Sequence, residues 1–351
     1  MDDNAQRNKL TPLYGKNTDG LQGRLEEIFS RPFPPKNDPY LMICEEINRV
    51  FETEDPRVRP RDKNDNTGGI IFLIKNIPTI VVPDLHARMD FFLSIMLSTK
   101  FGYGTTLELL AAGKIQIVCV GDAFHSEGHQ AKRWKLAFGE FQDQYRKHAH
   151  MDQEMRESMG LMEMVWEVKA AFPYHFHFLK GNHENILNEN GSGNYPFRKY
   201  AYEGAMVADY MKKFYSAKLL KKYAIMEKNL PLLAIGNNFI ISHSEPQKFF
   251  PSEKVINYRT NADVVYGLTW TDNDAADEGS VLEMIQHYLP YTVWDHARYF
   301  GGHRPVTGAF KERAEGKYLQ IHNPGRFQVA YLSPDQPVDI KNNVIVLEDL
   351  T

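Results

Sequence analysis

Five short β-rich runs in this chain are each followed by aspartate, asparagine or histidine. These side chains are Asp84 and His86, Asp122, Asn182, His243 and His303. Ligands in α/β proteins bind at the carboxyl ends of the strands, so we expect the six side chains to meet at one site. Oxygen and nitrogen donors without a thiolate suit divalent ions such as Mn, Fe or Zn. The sequence therefore predicts a metal site.

The six donors can hold two ions if one carboxylate is shared. Two ions about 3.5–4 Å apart can hold both the attacking and the leaving oxygen of an in-line displacement. We expect Asp122 to bridge the ions and to be essential for catalysis. Asp84 and His86 would complete one ion site, and Asn182, His243 and His303 the other. A water between the ions would lose its proton near neutral pH and become the nucleophile.

His183 directly follows the predicted ligand Asn182. It can face the leaving oxygen without occupying a metal position. We therefore expect His183 to act as a general acid or to stabilise the developing oxyanion.

The elements that must position these residues follow an alternating pattern from Ile70 onward, which predicts an α/β fold. The predicted strands are Ile70–Ile74, Thr79–Val82, Ile115–Val120, His175–Leu179, Leu232–Ile235, Phe239–Ile241, Arg298–Phe300, Tyr318–Ile321, Phe327–Leu332 and Val344–Leu347. The predicted helical stretches are Tyr40–Phe51, Asp90–Ser98, Gln130–Phe172 and Tyr200–Met226. Met151, Met155, Met159, Met162 and Trp166 recur at a helical period, and we expect this stripe to be core.

The ordered motifs resemble those of the calcineurin-like metallophosphoesterase superfamily, and most of all its phosphoprotein (Ser/Thr) phosphatase branch. They are Asp84-Leu85-His86, Gly121-Asp122, Gly181-Asn182-His183-Glu184, Ser242-His243 and Gly302-His303. The resemblance runs from about Tyr40 to about Leu332. It implies a four-layer α/β/β/α metallophosphoesterase sandwich of two mixed sheets. It also implies two divalent ions and hydrolysis of a phosphoester without a phosphoenzyme.

The chain departs from the family pattern where substrate phosphate is normally held. The family has Gly-Asp-x-x-Asp-Arg-Gly at its second motif, but here His125 and Ser126 stand at the second Asp and the Arg. Arg88 and Arg304 lie close in sequence to predicted ligand histidines. We therefore expect Arg88, Arg304 and His125 to bind the substrate. The arginine clamp, meaning the arginines with which the family holds substrate phosphate, would then be altered in this chain.

The composition limits the other functions. The net charge is −4 over 351 residues, which gives no electrostatic footprint for nucleic acid or an acidic membrane. Residues 1–20 are polar and lack the apolar segment of a secretory signal, so we expect a cytoplasmic location. We expect the two cysteines to be structural, and two are too few for a disulfide framework. The oligomeric state stays open.

The predicted domain organisation has two parts. Residues 1–38 form a polar, Pro-rich N-terminal arm, and residues 39–351 form the catalytic domain with a helical insertion near 129–172. Three functions remain open at this point. The first is hydrolysis of a phosphomonoester, on a phosphorylated protein or small molecule. The second is hydrolysis of a phosphodiester or nucleotide pyrophosphate. The third is a metal-stabilised binding module with weak catalysis.

Overall fold

A computed structural model describes residues 18–334 and 336–349 of the chain. The strands are β1 Ile70–Phe72, β2 Thr79–Val82, β3 Gln116–Cys119, β4 Phe176–Phe178, β5 Leu233–Ile235, β6 Phe239–Ile241, β7 Arg298–Gly301, β8 Lys311–Arg313, β9 Tyr318–Gln320, β10 Gln328–Leu332 and β11 Val344–Val346. All ten predicted strands are present with ends shifted by at most two residues, and β8 is additional.

The α-helices are α1 Thr18–Ser30, α2 Asn37–Glu52, α3 Met89–Leu97, α4 Thr106–Ala111, α5 Ala131–Gln142, α6 Ala149–Ala171, α7 Glu203–Phe214, α8 Ala217–Lys228, α9 Ser252–Ile256, α10 Ala262–Thr269, α11 Ser280–Tyr288 and α12 Ile340–Asn343. The predicted stretch Gln130–Phe172 is two helices rather than one. Gln144 and Tyr145 lie between these two helices, and each has a φ of 53°. A continuous helix does not allow this conformation.

Two mixed sheets pack face to face. One has the order β1-β5-β6-β7-β9-β8 and the other has the order β11-β10-β2-β3-β4. Alternate residues of a strand face opposite sides, and β2 follows this rule. Val81 lies in the cluster between the sheets, while Ile80 and Val82 pack against the outer helices. The predicted four-layer α/β fold is confirmed.

Parallel pairing sets the position of the site. Strands β2, β3 and β4 run parallel in one sheet, and β6, β7 and β9 run parallel in the other. Their carboxyl ends therefore open at one edge of the sandwich, where each strand passes into a loop. This arrangement places six loops around a common centre.

The methionine stripe and both cysteines, which lie outside the site, are buried. The methionine stripe is core, because Met151, Met155 and Met159 of α6 are fully buried. Both cysteines are free and buried, so no disulfide links them. Within the described residues, no helix is long and apolar enough to cross a bilayer.

The N-terminal arm predicted for residues 1–38 lies partly outside the described residues, since these begin at residue 18. Its described part contains α1, which buries Leu21, Leu25 and Ile28 in the same core cluster as α6. The described part of the predicted arm is therefore a helix that packs on the rest of the fold. The domain limits at 38 and 39 stay a prediction.

Candidate metal centre

All six predicted donors lie together at the edge where the parallel strands end. On one side, Asn182 Oδ1 lies 2.9 Å from His243 Nε2 and 2.9 Å from His303 Nδ1. On the other side, His86 Nε2 lies 3.9 Å from Asp84 Oδ2. Separations near 3–4 Å between donors are those expected of side chains that share an ion.

The carboxylate of Asp122 lies between the two groups. Its Oδ2 is 3.7 Å from His86 Nε2 and 3.4 Å from His243 Nε2. Its Oδ1 accepts a hydrogen bond of 2.9 Å from the backbone N–H of His183, which fixes the carboxylate orientation. One oxygen of Asp122 therefore faces both halves of the site.

His86 and His243 are each oriented by a contact of the outer ring nitrogen, which is the one that faces away from the carboxylates. His86 Nδ1 lies 3.0 Å from the carbonyl oxygen of His125, and His243 Nδ1 lies 3.1 Å from that of Val120. A carbonyl oxygen only accepts, so each Nδ1 carries the proton and donates it. The inner Nε2 of each ring then presents a lone pair to the carboxylates, as a metal ligand does.

Burial changes the pKa values in a direction that favours a bound cation. Desolvation raises the pKa of Asp84 to about 6, although His322 and the backbone N–H of His303 oppose it. Desolvation and the charge of Glu184 raise the pKa of Asp122 well above its usual value. Burial lowers the pKa of His86 to about 3. Divalent ions would stabilise the ionised carboxylates and need the neutral imidazole that burial already favours.

The loops that carry these donors have unusual backbone conformations. His86, Asp122 and His303 have φ values of 43°, 54° and 62°, a region that non-glycine residues seldom occupy. Such conformations are often found at functional sites, where the surrounding structure maintains them.

The glycines before the donors have two different roles. Gly121 has a φ of 121°, a conformation that favours glycine, and makes a sharp turn after β3. Gly181 and Gly302 are required for another reason. A Cβ on Gly302 would lie 1.9 Å from Asp84 Oδ1, and one on Gly181 would lie 2.1 Å from Asp122 Oδ1. These two glycines make room for the carboxylates.

Glu184 holds the β3 and β4 loops together. Its carboxylate accepts backbone hydrogen bonds from Asp122 at 3.0 Å, Ala123 at 2.8 Å and Gly181 at 2.6 Å. These bonds connect two neighbouring loops and leave the inner face of Asp122 open. Glu184 therefore positions the centre without being one of its donors.

His183 lies at the rim of the centre. Its side chain is 12% exposed, and its Nε2 is 3.8 Å from Asp122 Oδ2. Its ring packs against Phe197 at 4.6 Å and His125 at 4.9 Å between centroids. Burial and the neighbouring imidazoles lower the pKa of His183 well below its usual value. The negative charge of a bound phosphate would oppose that shift.

His125 lies behind His183 and is fully buried. Its ring stacks with Trp134 and Tyr200, and its Nε2 lies 3.5 Å from Glu203 Oε1. Direct contact with a substrate requires this packing to open. Its substrate-binding role stays a prediction, and the geometry favours an indirect role through His183.

The two arginines predicted to hold substrate are occupied by other groups. Arg88 donates to the carbonyl oxygens of Asp84 at 2.7 Å and Arg326 at 3.0 Å, and it lies over the ring of Phe91. Arg304 makes a two-point ion pair with Asp272 at 2.8 and 2.9 Å. Both substrate roles stay predictions, and each requires existing hydrogen bonds to be exchanged.

Two further groups, which are not among the predicted site residues, also border the centre. His322 lies 3.7 Å from Asp84 Oδ2, and Glu127 lies 3.7 Å from His86 Nε2. His322 lies two residues after the end of β9, so the strand-end pattern that indicates the other donors also applies to it. Glu127 follows no strand, and no sequence signal of that kind identifies it.

The comparisons with known proteins agree with this geometry. The sequence pattern of the family described as "Calcineurin-like phosphoesterase" matches residues 77–324, which include every residue of the centre. No curated protein sequence matches the chain.

Two solved structures are similar to the chain to different degrees. A protein serine/threonine phosphatase from Saccharomyces cerevisiae, with similarity to human phosphatase PP5, has a TM-score of 0.53 and 16% identity over 88% of each chain. The cold-active protein-tyrosine phosphatase of Shewanella sp. has a TM-score of 0.38 and 15% identity over 75% of this chain and 76% of its own. At 16% identity, the first likeness supports the fold alone.

Proposed function

The chain belongs to the calcineurin-like phosphoesterase family, and from that premise we propose that it hydrolyses phosphomonoesters with two divalent metal ions. One observation carries the proposal. Asn182 Oδ1 and His243 Nε2 lie 2.9 Å apart, while His243 Nδ1 is held by a carbonyl oxygen. Because the proton of the ring is on Nδ1, Nε2 of His243 and Oδ1 of Asn182 are both acceptors, with no proton between them. A cation bound between these two atoms would relieve their repulsion.

The residues divide between two ions in this proposal. Asp84, His86 and Asp122 hold one ion, and Asp122, Asn182, His243 and His303 hold the other. The ions are Mn, Fe or Zn, because the donors are oxygen and nitrogen without sulfur. When bound, they supply the positive charge that activates water and stabilises the phosphoryl oxygens.

The other side chains orient the substrate and transfer protons. Asp122 presents one oxygen to both halves of the centre and is fixed by the N–H of His183. His183 gives a proton to the leaving oxygen, since its partly exposed ring lies at the rim. A phosphoryl dianion raises the pKa of this imidazole towards the range that proton transfer needs.

The physiological substrate is a phosphorylated protein or a small molecule. We place the protein in the cytoplasm, because its two buried free cysteines suit a reducing compartment.

A specific observation favours a second candidate, hydrolysis of phosphodiesters or nucleotide pyrophosphates. Ser126 replaces a cation, Arg304 is paired with Asp272, and Glu127 adds a carboxylate beside His86. These three features leave fewer unpaired positive side chains at the site. A site with less positive charge binds a phosphoryl group with one negative charge in preference to one with two. A diester has one such charge, and a monoester near neutral pH has close to two.

An assay with matched substrates tests the proposal. The metal-free protein is reconstituted with Mn²⁺ and given p-nitrophenyl phosphate, bis(p-nitrophenyl) phosphate and a phosphoserine peptide. Monoester hydrolysis that exceeds diester hydrolysis supports the first candidate, and the reverse order supports the second. No turnover of any ester by protein that holds two ions contradicts both and favours the metal-stabilised binding module.

A further inference from the structure

We propose that His322 is a further protein ligand of the ion held by Asp84 and His86, and that Glu127 is the positioning residue for its ring. The inference rests on the proposed metal centre and extends its donor set. His322 lies two residues after β9, the third strand of the parallel group β6, β7 and β9.

The first support is the position of the inner nitrogen. His322 is fully buried, and its Nδ1 lies 3.7 Å from Asp84 Oδ2. This Nδ1 has no hydrogen-bond partner of normal geometry, and neither has either carboxylate oxygen of Asp84. Buried polar atoms normally have hydrogen-bond partners. Three neighbouring buried atoms without a partner therefore indicate that a further group binds between them. A cation satisfies all three, because each can present a lone pair.

The second support is the contact of the outer nitrogen. His322 Nε2 lies 3.3 Å from Glu127 Oε2 and donates a hydrogen bond to it, which leaves the lone pair of the ring on Nδ1. His86 and His243 are arranged in the same way, with the outer nitrogen held and the inner one facing the carboxylates. A carboxylate behind a histidine is the usual way in which proteins orient a metal-binding imidazole.

The third support is the environment of Glu127. Its other oxygen forms an ion pair of 2.6 Å with Lys199, whose side chain is 41% exposed. The ion pair offsets the cost of a largely buried carboxylate close to Asp84 and Asp122. It also restrains Glu127, so the position of the His322 ring depends on a fixed acceptor. Lys199 thus belongs to the same chain of contacts.

The assignment gives the two ions equal sets of four donors. Asp84, His86, Asp122 and His322 surround one position, and Asp122, Asn182, His243 and His303 surround the other. Without His322, the first position would have three protein donors and a vacant face towards β9. The affinity of the first ion should therefore depend on His322, while that of the second should not.

The test is a titration of the metal-free protein with Mn²⁺ in the absence of substrate. We expect His322→Gln to retain one tightly bound ion and to weaken the other by about 100-fold or more, and Glu127→Gln to weaken that ion by about 10–100-fold. His177→Gln is the matched control, since His177 is buried without hydrogen-bond partners but lies within β4, away from the centre. It should bind both ions as the unmodified protein does.

A rescue experiment separates a ligand from a structural histidine. His322→Gly leaves space for a free imidazole, and added imidazole should restore binding of the lost ion. If His322→Gln and Glu127→Gln both bind two Mn²⁺ ions with unchanged affinity, the inference is wrong. If His322→Gln does not fold, Glu127→Gln and the imidazole rescue decide the question. An unmodified protein that binds no Mn²⁺ contradicts the proposed function itself, which is a separate outcome.

Discussion

Replacing Asp84 by asparagine should make the metal-free protein more stable. Burial raises the pKa of Asp84 from 3.8 to about 6. At pH 7 the folded chain must therefore carry an ionised carboxylate in an unfavourable place. One pKa unit corresponds to about 1.4 kcal/mol, so the cost is about 3 kcal/mol. Asparagine has nearly the same shape and cannot ionise, so Asp84→Asn should recover free energy of that order.

The pH dependence follows from the sign of the shift. Between pH 3.8 and about 6 the unfolded chain loses the Asp84 proton while the folded chain retains it. Stability from this group is thus present below pH 3.8 and is lost as the pH rises to about 6. The difference between Asp84→Asn and the unmodified protein should open over this window and level off above it.

Urea unfolding in EDTA, followed by circular dichroism at pH 4 and pH 7, measures the effect. With Mn²⁺ the order should reverse, because the ions stabilise only a protein that binds them. The reasoning is refuted if Asp84→Asn is less stable than the unmodified protein in EDTA at pH 7. It is also refuted if Mn²⁺ stabilises both proteins equally.

Three further predictions concern single side chains of the centre. Asp122→Asn should lose more bound metal than Asp84→Asn by elemental analysis, because only Asp122 serves both ions, and retention of two tightly bound ions would show that it does not bridge. His183→Asn should keep both ions and lower kcat by about 10²–10⁴, with a smaller loss for p-nitrophenyl phosphate than for a phosphoserine peptide. An equal loss on both substrates would indicate a structural role. Arg304→Ala should raise KM for a monoester about tenfold, which is the effect of losing one charge-assisted contact, and should leave the metal content unchanged. Asp272→Asn, which frees Arg304, should lower KM, and a KM unaffected by both changes would place the clamp elsewhere.

The sequence is sufficient to predict the strands and the edge of the sandwich at which the six proposed donors meet, because both follow local rules. Strand runs alternate between the two faces of a sheet, and polar residues at their ends must reach the same edge. His322 obeys the second rule as well, since it directly follows the predicted strand Tyr318–Ile321, yet it is not among the six predicted donors. The family motifs that the chain resembles end at Gly302-His303, before this strand.

The directions of individual side chains could not be predicted in the same way. Arg88 lies two residues after His86, yet its guanidinium turns to carbonyl oxygens, including that of Arg326, which is 238 residues away. Glu127 is held by Lys199, which is 72 residues away. Such contacts depend on tertiary packing, and neighbouring sequence positions carry no information about them.

The central claim is that two ions bound at this centre enable phosphoester hydrolysis. The most direct test measures metal content and p-nitrophenyl phosphate hydrolysis on one sample, before EDTA treatment, after it and after addition of Mn²⁺. We expect two ions per chain to be removed and restored, with activity falling and returning in step. Full activity in the metal-free sample would contradict the claim.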